Sequence, residues 1–167
     1  FDIVFEQHAV EIYDEPQLPK NPLFYANFSS ITDPDLAPEG KEVGFFLIPV
    51  AVDLEDNQNV HDRYFELIMD RIQKNTDVDL RKHVLFKKSF GVKDFKERYH
   101  SCRGNAYGLA NTLLQTSILR PQIDNKKIKN LFYTGQLTVP GPGVPPALIS
   151  GKVVTDYILK NQHRILK

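Results

Sequence analysis

Residues 135–146, GQLTVPGPGVPP, hold four prolines and three glycines, and no regular helix or strand can run through them. Each proline fixes φ at about −65° and removes an N–H donor, while glycine admits φ values closed to other residues. The stretch is therefore a stiff loop. Before it, NLFYTG (130–135) reads as a short buried strand; after it, PPALISGKVVTDYILKN (145–161) reads as a helix with proline in its first turn, where a missing N–H costs nothing. Strand, glycine turn and helix in this order leave free N–H groups and about half a positive charge at the helix start. Such a place suits an anion or a polarised carbonyl, and a loop fixed before its ligand arrives lowers the ordering cost of binding. A plain Pro/Gly connection between a strand and a packed helix has the same spacing, so the residues alone leave both readings open.

A chain of 167 residues is long enough for one domain with a real core. Its 41% hydrophobic and 25% charged residues exclude a disordered or collagen-like chain. The 21 Lys and Arg balance 21 Asp and Glu, so nothing points to a nucleic-acid partner. The single cysteine, Cys102, excludes an internal disulfide framework and suits a reducing, cytoplasmic setting. No apolar run approaches the ~20 residues of a membrane span, and no basic-then-apolar leader opens the chain. A first residue Phe1 in place of methionine hints at more chain upstream.

Along the chain, HAVEIY (8–13) alternates apolar and polar residues, LFYANF (23–28) follows the turn-rich PQLPKNP, and EVGFFLIPV (42–50) is an apolar run closed by Pro49. All three read as strands of an antiparallel sheet. Residues 60–74 put Val60, Tyr64, Leu67, Ile68, Arg71 and Ile72 on one helical stripe, with Asp62, Arg63, Asp70 and Lys74 opposite. HVLFKKSF (83–90) reads as a further strand, and KDFKERYHS (93–101) as a short helix capped by Asp94. GNAYGLANTLLQTSILRP (104–121) mixes helical spacing with β-formers and is left unassigned. The fold class is α+β: a partial antiparallel sheet with flanking helices, then a final strand, loop and helix.

The segment NLFYTGQLTVPGPGVPPALISGK closely resembles the C-terminal flavin-contacting motif of the phytoene desaturase family, carotenoid-forming enzymes within the amine-oxidase-like FAD flavoproteins. TDPDLAPEG followed by FFLIPV (32–50), and GNAYGLANTLLQTSILRP (104–121), agree in order and spacing, and GQLTVPGPGVPP looks most like the desaturases of the Bacteroidetes type. Three motifs in register cover most of the chain; the first thirty residues match loosely.

The resemblance implies that residues 1–125 belong to the substrate-binding domain and 126–167 supply the last strand, loop and helix of the FAD-binding domain. The pyrimidine edge of the flavin would meet the backbone N–H of Val144, with Pro145 and Pro146 fixing the helix start. Gly135, Gln136 and Leu137 fall where the family's turn passes the ribityl and phosphate groups. Amine oxidases usually carry glutamate at the position of Gln136, so a charged contact there is not carried over. The family also needs an N-terminal strand, GxGxxG and helix for the pyrophosphate, and this sequence contains none. The chain accordingly resembles a C-terminal portion that binds FAD weakly or not at all and catalyses nothing alone. Its parent is expected to be an FAD-dependent oxidoreductase that lengthens the conjugation of a C40 polyene by hydride transfer to flavin, cytoplasmic or peripheral on the inner face of the cell membrane.

Phe45, Phe46, Tyr107 and Leu113 are candidates to line an apolar tunnel for a carotenoid, although ordinary core packing uses the same residues. Arg120 would form a structural ion pair or approach the flavin. His8, His61, His83, His100 and His163 lack metal-ligand spacing, so no metal is expected. Asp33, Asp35 and Glu39 sit in a turn, where Asp bonds its own backbone. Lys126, Lys127 and Lys129 read as a solvated loop that could meet lipid headgroups. A different class of reading is a stand-alone module that holds a lipid without redox chemistry. Apolar surface left by a missing domain also predicts self-association.

Overall fold

The structure, a computed structural model, describes residues 5–110, 112–116 and 119–161. The chain divides into two compact units at Gly104/Asn105.

The first unit opens with a helix, α1 (Phe5–Tyr13), where alternation predicted a strand. Its buried residues are His8 and Glu11, one helical turn apart, while Phe5, Val10 and Tyr13 face outward. The pattern misled because the buried side is polar. His8 is held by two segments: its Nε2–H donates to the Pro49 carbonyl at 2.9 Å and its Nδ1 accepts the Leu23 N–H at 3.1 Å, which fixes the tautomer.

Strands β1 (Tyr25–Asn27) and β2 (Phe45–Leu47) pair antiparallel, with Ala26 opposite Phe46. Both are shorter than the apolar runs that announced them, and the expected three-stranded sheet is a pair among the described residues. Phe46 meets Phe24 and Phe28 edge-on, at 6.2 and 5.8 Å between centroids. In the turn between the strands the Asp33 carboxylate accepts the Asp35 N–H, as a local turn residue.

Helix α2 (Gln58–Thr76) follows the predicted stripe, burying Tyr64, Ile68 and Met69. Asn57 caps it by accepting the Val60 N–H at 3.0 Å. Tyr64 donates to the Pro19 carbonyl at 2.8 Å, and Arg71 lies over the Phe24 ring at 4.8 Å, so the stripe covers the proline-rich crossing before β1. Residues 83–90 form no strand. Arg81 and Lys87 are drawn onto α2 by acidic partners, and the segment runs as an exposed loop.

Helix α3 (Val92–Tyr99) is capped three residues before the expected Asp94. Gly91 is the N-cap, and the Asp94 carboxylate reaches back to accept its N–H at 3.0 Å. Asp56 closes the same start by accepting from His61 Nε2 and the Lys93 N–H.

In the second unit the predicted strand at 130–135 is reduced to one antiparallel bridge, Asp124 to Phe132, flanked by Tyr133 N–H to Ile123 O at 2.8 Å and Asn125 N–H to Leu131 O at 3.0 Å. The helix after the Pro/Gly loop, α4 (Val144–Lys160), is where the sequence put it.

Candidate functional site

The geometry of the Pro/Gly loop is set by α4. Ser150 of α4 is fully buried; its hydroxyl meets Thr134 Oγ1 at 2.8 Å and accepts the Gly135 N–H at 2.7 Å. At the next residue, a Cβ built on Gly151 would stand 3.9 Å from Thr134 Oγ1, in ordinary contact. Phe132 packs on Tyr157 at 6.1 Å. The incoming segment is thereby stapled along the helix.

From Gly135 the chain turns sharply. The Gly135 carbonyl accepts both the N–H and the hydroxyl of buried Thr138, at 3.1 and 3.0 Å. Gly135 has φ +98°, a conformation that strains any other residue, and a Cβ built on it would meet nothing within 4 Å. Its glycine is thus demanded by backbone angle, and the space beside it is open. The Val139–Pro140 peptide is cis. Gly141 and Gly143 follow at φ +132° and +116°.

Arg120 ties this course together. It is 4% exposed, its Nη1 donates to the Gln136 carbonyl at 3.2 Å, and its Cζ lies 3.2 Å from where a Gly141 Cβ would stand. One guanidinium therefore holds the loop at Gln136 and packs flat against it at Gly141. Gly141 must be glycine to admit that contact as well as for its angle.

The helix start is stripped of donors by design of its sequence. Of the four N–H groups that begin a helix unpaired, here at positions 143–146, the prolines at 145 and 146 lack two, and the first regular helical bond runs from the Ala147 N–H to Gly143 O at 3.0 Å. The remaining donors are the N–H groups of Gly143 and Val144, and neither meets an acceptor among the described residues. Val144 is 77% exposed. Pro145 is exposed beside it.

Of the sequence candidates, Gly135, Gln136, Leu137, Val144 and Pro145 lie on this one loop and helix start. Tyr107 comes near it: a Cβ on its neighbour Gly108 would sit 2.9 Å from Leu137 Cδ2 and 3.4 Å from Gln136 O. Leu113 belongs to the same unit and is 88% exposed. Phe45 and Phe46 lie on β2 in the first unit, Phe45 exposed and Phe46 half-buried in its aromatic trio. Sequence reasoning missed Thr134, Thr138 and Ser150, whose only signal is a hydroxyl beside each glycine turn and on the helix face that meets it. His163 lies outside the described residues. Among those described, no three His, Cys, Asp or Glu side chains gather as a metal group does, and no helix is long and apolar enough to cross a membrane.

No family model matches the chain. It is similar to curated proteins over nearly all of its length: 40% identical over 157 residues to a carotenoid 3,4-desaturase of Haloarcula japonica, covering 94% of this chain and 32% of that protein. A 4,4'-diapolycopen-4-al dehydrogenase of Metabacillus indicus is 32% identical with the same coverage. A 4,4'-diapophytoene desaturase (4,4'-diaponeurosporene-forming) of Staphylococcus aureus is 31% identical over 168 aligned positions, 96% of this chain and 33% of that one. The chain spans about a third of the length of the curated relatives it matches.

Proposed function

We propose that this chain, a homologue of the carotenoid desaturases, is the C-terminal part of an FAD-dependent enzyme that extends the conjugated system of a carotenoid. The observation that carries the reading is the coincidence of the homology with a loop built for a ligand: open space at Gly135, two unclaimed N–H donors at Gly143 and Val144, and a buried arginine that fixes the course between them. The relatives act on different carotenoids by name, so the shared class is the conjugated polyene and the C40 length is one member of it. A lipid-binding module without redox chemistry is not favoured by relatives that are desaturases and a dehydrogenase.

The residues fit an FAD. The backbone at Gly135 and Gln136 can be approached without meeting a side chain at Gly135, as a ribityl or phosphate group requires. The two donors at α4 can face the polar edge of a ring, with Pro145 and Pro146 holding that end of the helix in place. When bound, FAD supplies the hydride acceptor. The protein's part at this point is electrostatic: the positive end of α4 favours negative charge placed beside Val144, and it costs no reorganisation because the loop is already fixed. The polyene offers no polar handle, so its recognition rests on apolar burial, for which Tyr107 and Leu113 in this unit and Phe45 and Phe46 in the other are the candidates. Residues 1–125 are assigned to the substrate side and 126–167 to the flavin side.

The test is to purify the full-length protein that contains this chain, measure its flavin, and follow carotenoid absorbance under turnover. The expected result is stoichiometric FAD and a shift of absorbance to longer wavelength as conjugation grows. Absence of both flavin and spectral change removes the proposal.

A further inference from the structure

The loop between α2 and α3 has a composition and a mounting that the flavin site does not use. Residues 80–90, LRKHVLFKKSF, contain four Lys and Arg and no Asp or Glu. Two of these cations are spent on holding the loop. Arg81 Nε donates to Glu66 at 2.7 Å, and its other nitrogens bond Asp70, Asp79 at 3.3 Å and the Glu66 carbonyl at 3.1 Å. Lys87 reaches Asp62 at 2.5 Å and lies 4.2 Å over the Phe65 ring. Both anchors end on α2 or beside it, so the loop is pinned at each shoulder.

Between the anchors the apolar residues point away from the protein. Leu85 is 71% and Phe86 86% exposed, with Val84 beside them. Lys82, His83 and Lys88 flank this tip; all are exposed, and none forms an ion pair among the described residues, Lys82 acting on Asp79 only through space. A pinned loop that carries two large apolar side chains inside a cationic rim matches the boundary of an anionic bilayer, where apolar side chains enter the acyl region and lysines meet headgroup phosphates. A protein partner would need acidic groups around an apolar socket; a lipid surface supplies both features at once.

We infer that the 82–88 loop docks the protein onto a membrane containing anionic lipid, with Leu85 and Phe86 inserted and Lys82 and Lys88 at the headgroups. This goes beyond the proposed function and does not depend on it. It differs from the contact that Lys126, Lys127 and Lys129 could make in having an apolar tip.

The experiment uses the full-length protein and co-sedimentation with phosphatidylcholine vesicles, with and without phosphatidylglycerol. Leu85→Ser/Phe86→Ser is expected to weaken vesicle binding roughly ten-fold or more, with flavin content and turnover of detergent-dispersed substrate unchanged. Lys82→Gln/Lys88→Gln is expected to remove only the preference for phosphatidylglycerol. A third variant, Phe86→Trp, keeps the proposal open to test if the serine pair fails to fold: brominated lipid is expected to quench the introduced indole. Undiminished sedimentation of the serine pair overturns the proposal. So does an indole that is already shielded without vesicles and untouched by brominated lipid, since another part of the protein or a second copy then covers the tip. Vesicle binding is read without reference to flavin, so a protein that lacks FAD and still docks through this loop would refute the proposed function alone.

Discussion

Arg120 carries more of the candidate site than its even-handed sequence context suggests. Its planar fork meets a carbonyl at Gln136 and a bare backbone at Gly141, two demands that a lysine ammonium cannot meet together. Arg120→Lys in the full-length protein is expected to loosen the loop by about 1–2 kcal/mol. The readout is an increase in flavin released on dialysis, with the melting of the rest of the protein little changed. Gly141→Ala, which would press a methyl on the guanidinium at φ +132°, is expected to act in the same direction. Unaltered flavin retention in both variants would show that the loop is held by other contacts. A second residue-scale prediction isolates one hydrogen atom. Proline is well suited to the first helical position, and Gly143 already has the extended ψ of 159° that a following proline prefers. Val144→Pro therefore deletes the N–H while leaving α4 intact. If that donor faces the flavin, loss of a hydrogen bond to a charged group at about 1.5–3 kcal/mol lowers the two-electron midpoint potential by about 30–60 mV. A potential equal to that of the parent would place the ring elsewhere.

At the scale of elements, the sequence was most legible where one physical demand acted alone. The α2 stripe is apolar because it is buried, and Tyr64 and Ile68 sit where the 3.6-residue period puts them. The start of α4 is readable because two prolines tolerate only that position. Legibility failed where a polar group took the buried place or a partner was remote. His8 and Glu11 gave α1 a buried polar side, so apolar alternation pointed to a strand. Arg81 and Lys87 turned 83–90 outward through carboxylates on α2 and at Asp79, pairings that no local pattern announces. The flavin-facing candidates were legible only through the family motif; the staples that position them, Ser150 and Thr138, were not. Tyr64 gives the α2 packing a direct test. Its phenol is buried, and desolvation pushes its pKa up to about 12 from 10.0. The folded value lies above the unfolded one, so this contribution is fully present below pH 10 and is lost as pH rises toward 12. The expected loss is about 2 kcal/mol. A spectroscopic titration is expected to show one late-ionising tyrosine that coincides with alkaline unfolding, and Tyr64→Phe to abolish the late step. A late phenol that persists in Tyr64→Phe would refute the assignment.

At the scale of the whole molecule, α4 raises a problem that the chain does not solve by itself. It buries Ser150 and Val154 yet exposes Val144, Leu148, Ile149 and Leu159, with Leu148 at 73%. A helix apolar on more than one face is ordinarily buried on more than one face. The chain spans about a third of its relatives, and in the proposed enzyme the remaining two thirds include the dinucleotide-binding fold against which this helix would lie. Leu148→Asp separates that arrangement from simple exposure, because the two contexts predict opposite signs. In the isolated chain the substitution removes apolar surface from water and is expected to reduce self-association, read as a lower weight-average mass in sedimentation. In the full-length protein it places a charge in an apolar interface, at a cost of several kcal/mol unless the interface opens, and is expected to lower folded yield and flavin content together. Equal behaviour in the two contexts would mean that the outer face of α4 meets solvent in the complete enzyme, and the assignment of residues 126–167 to the flavin side would lose its packing partner.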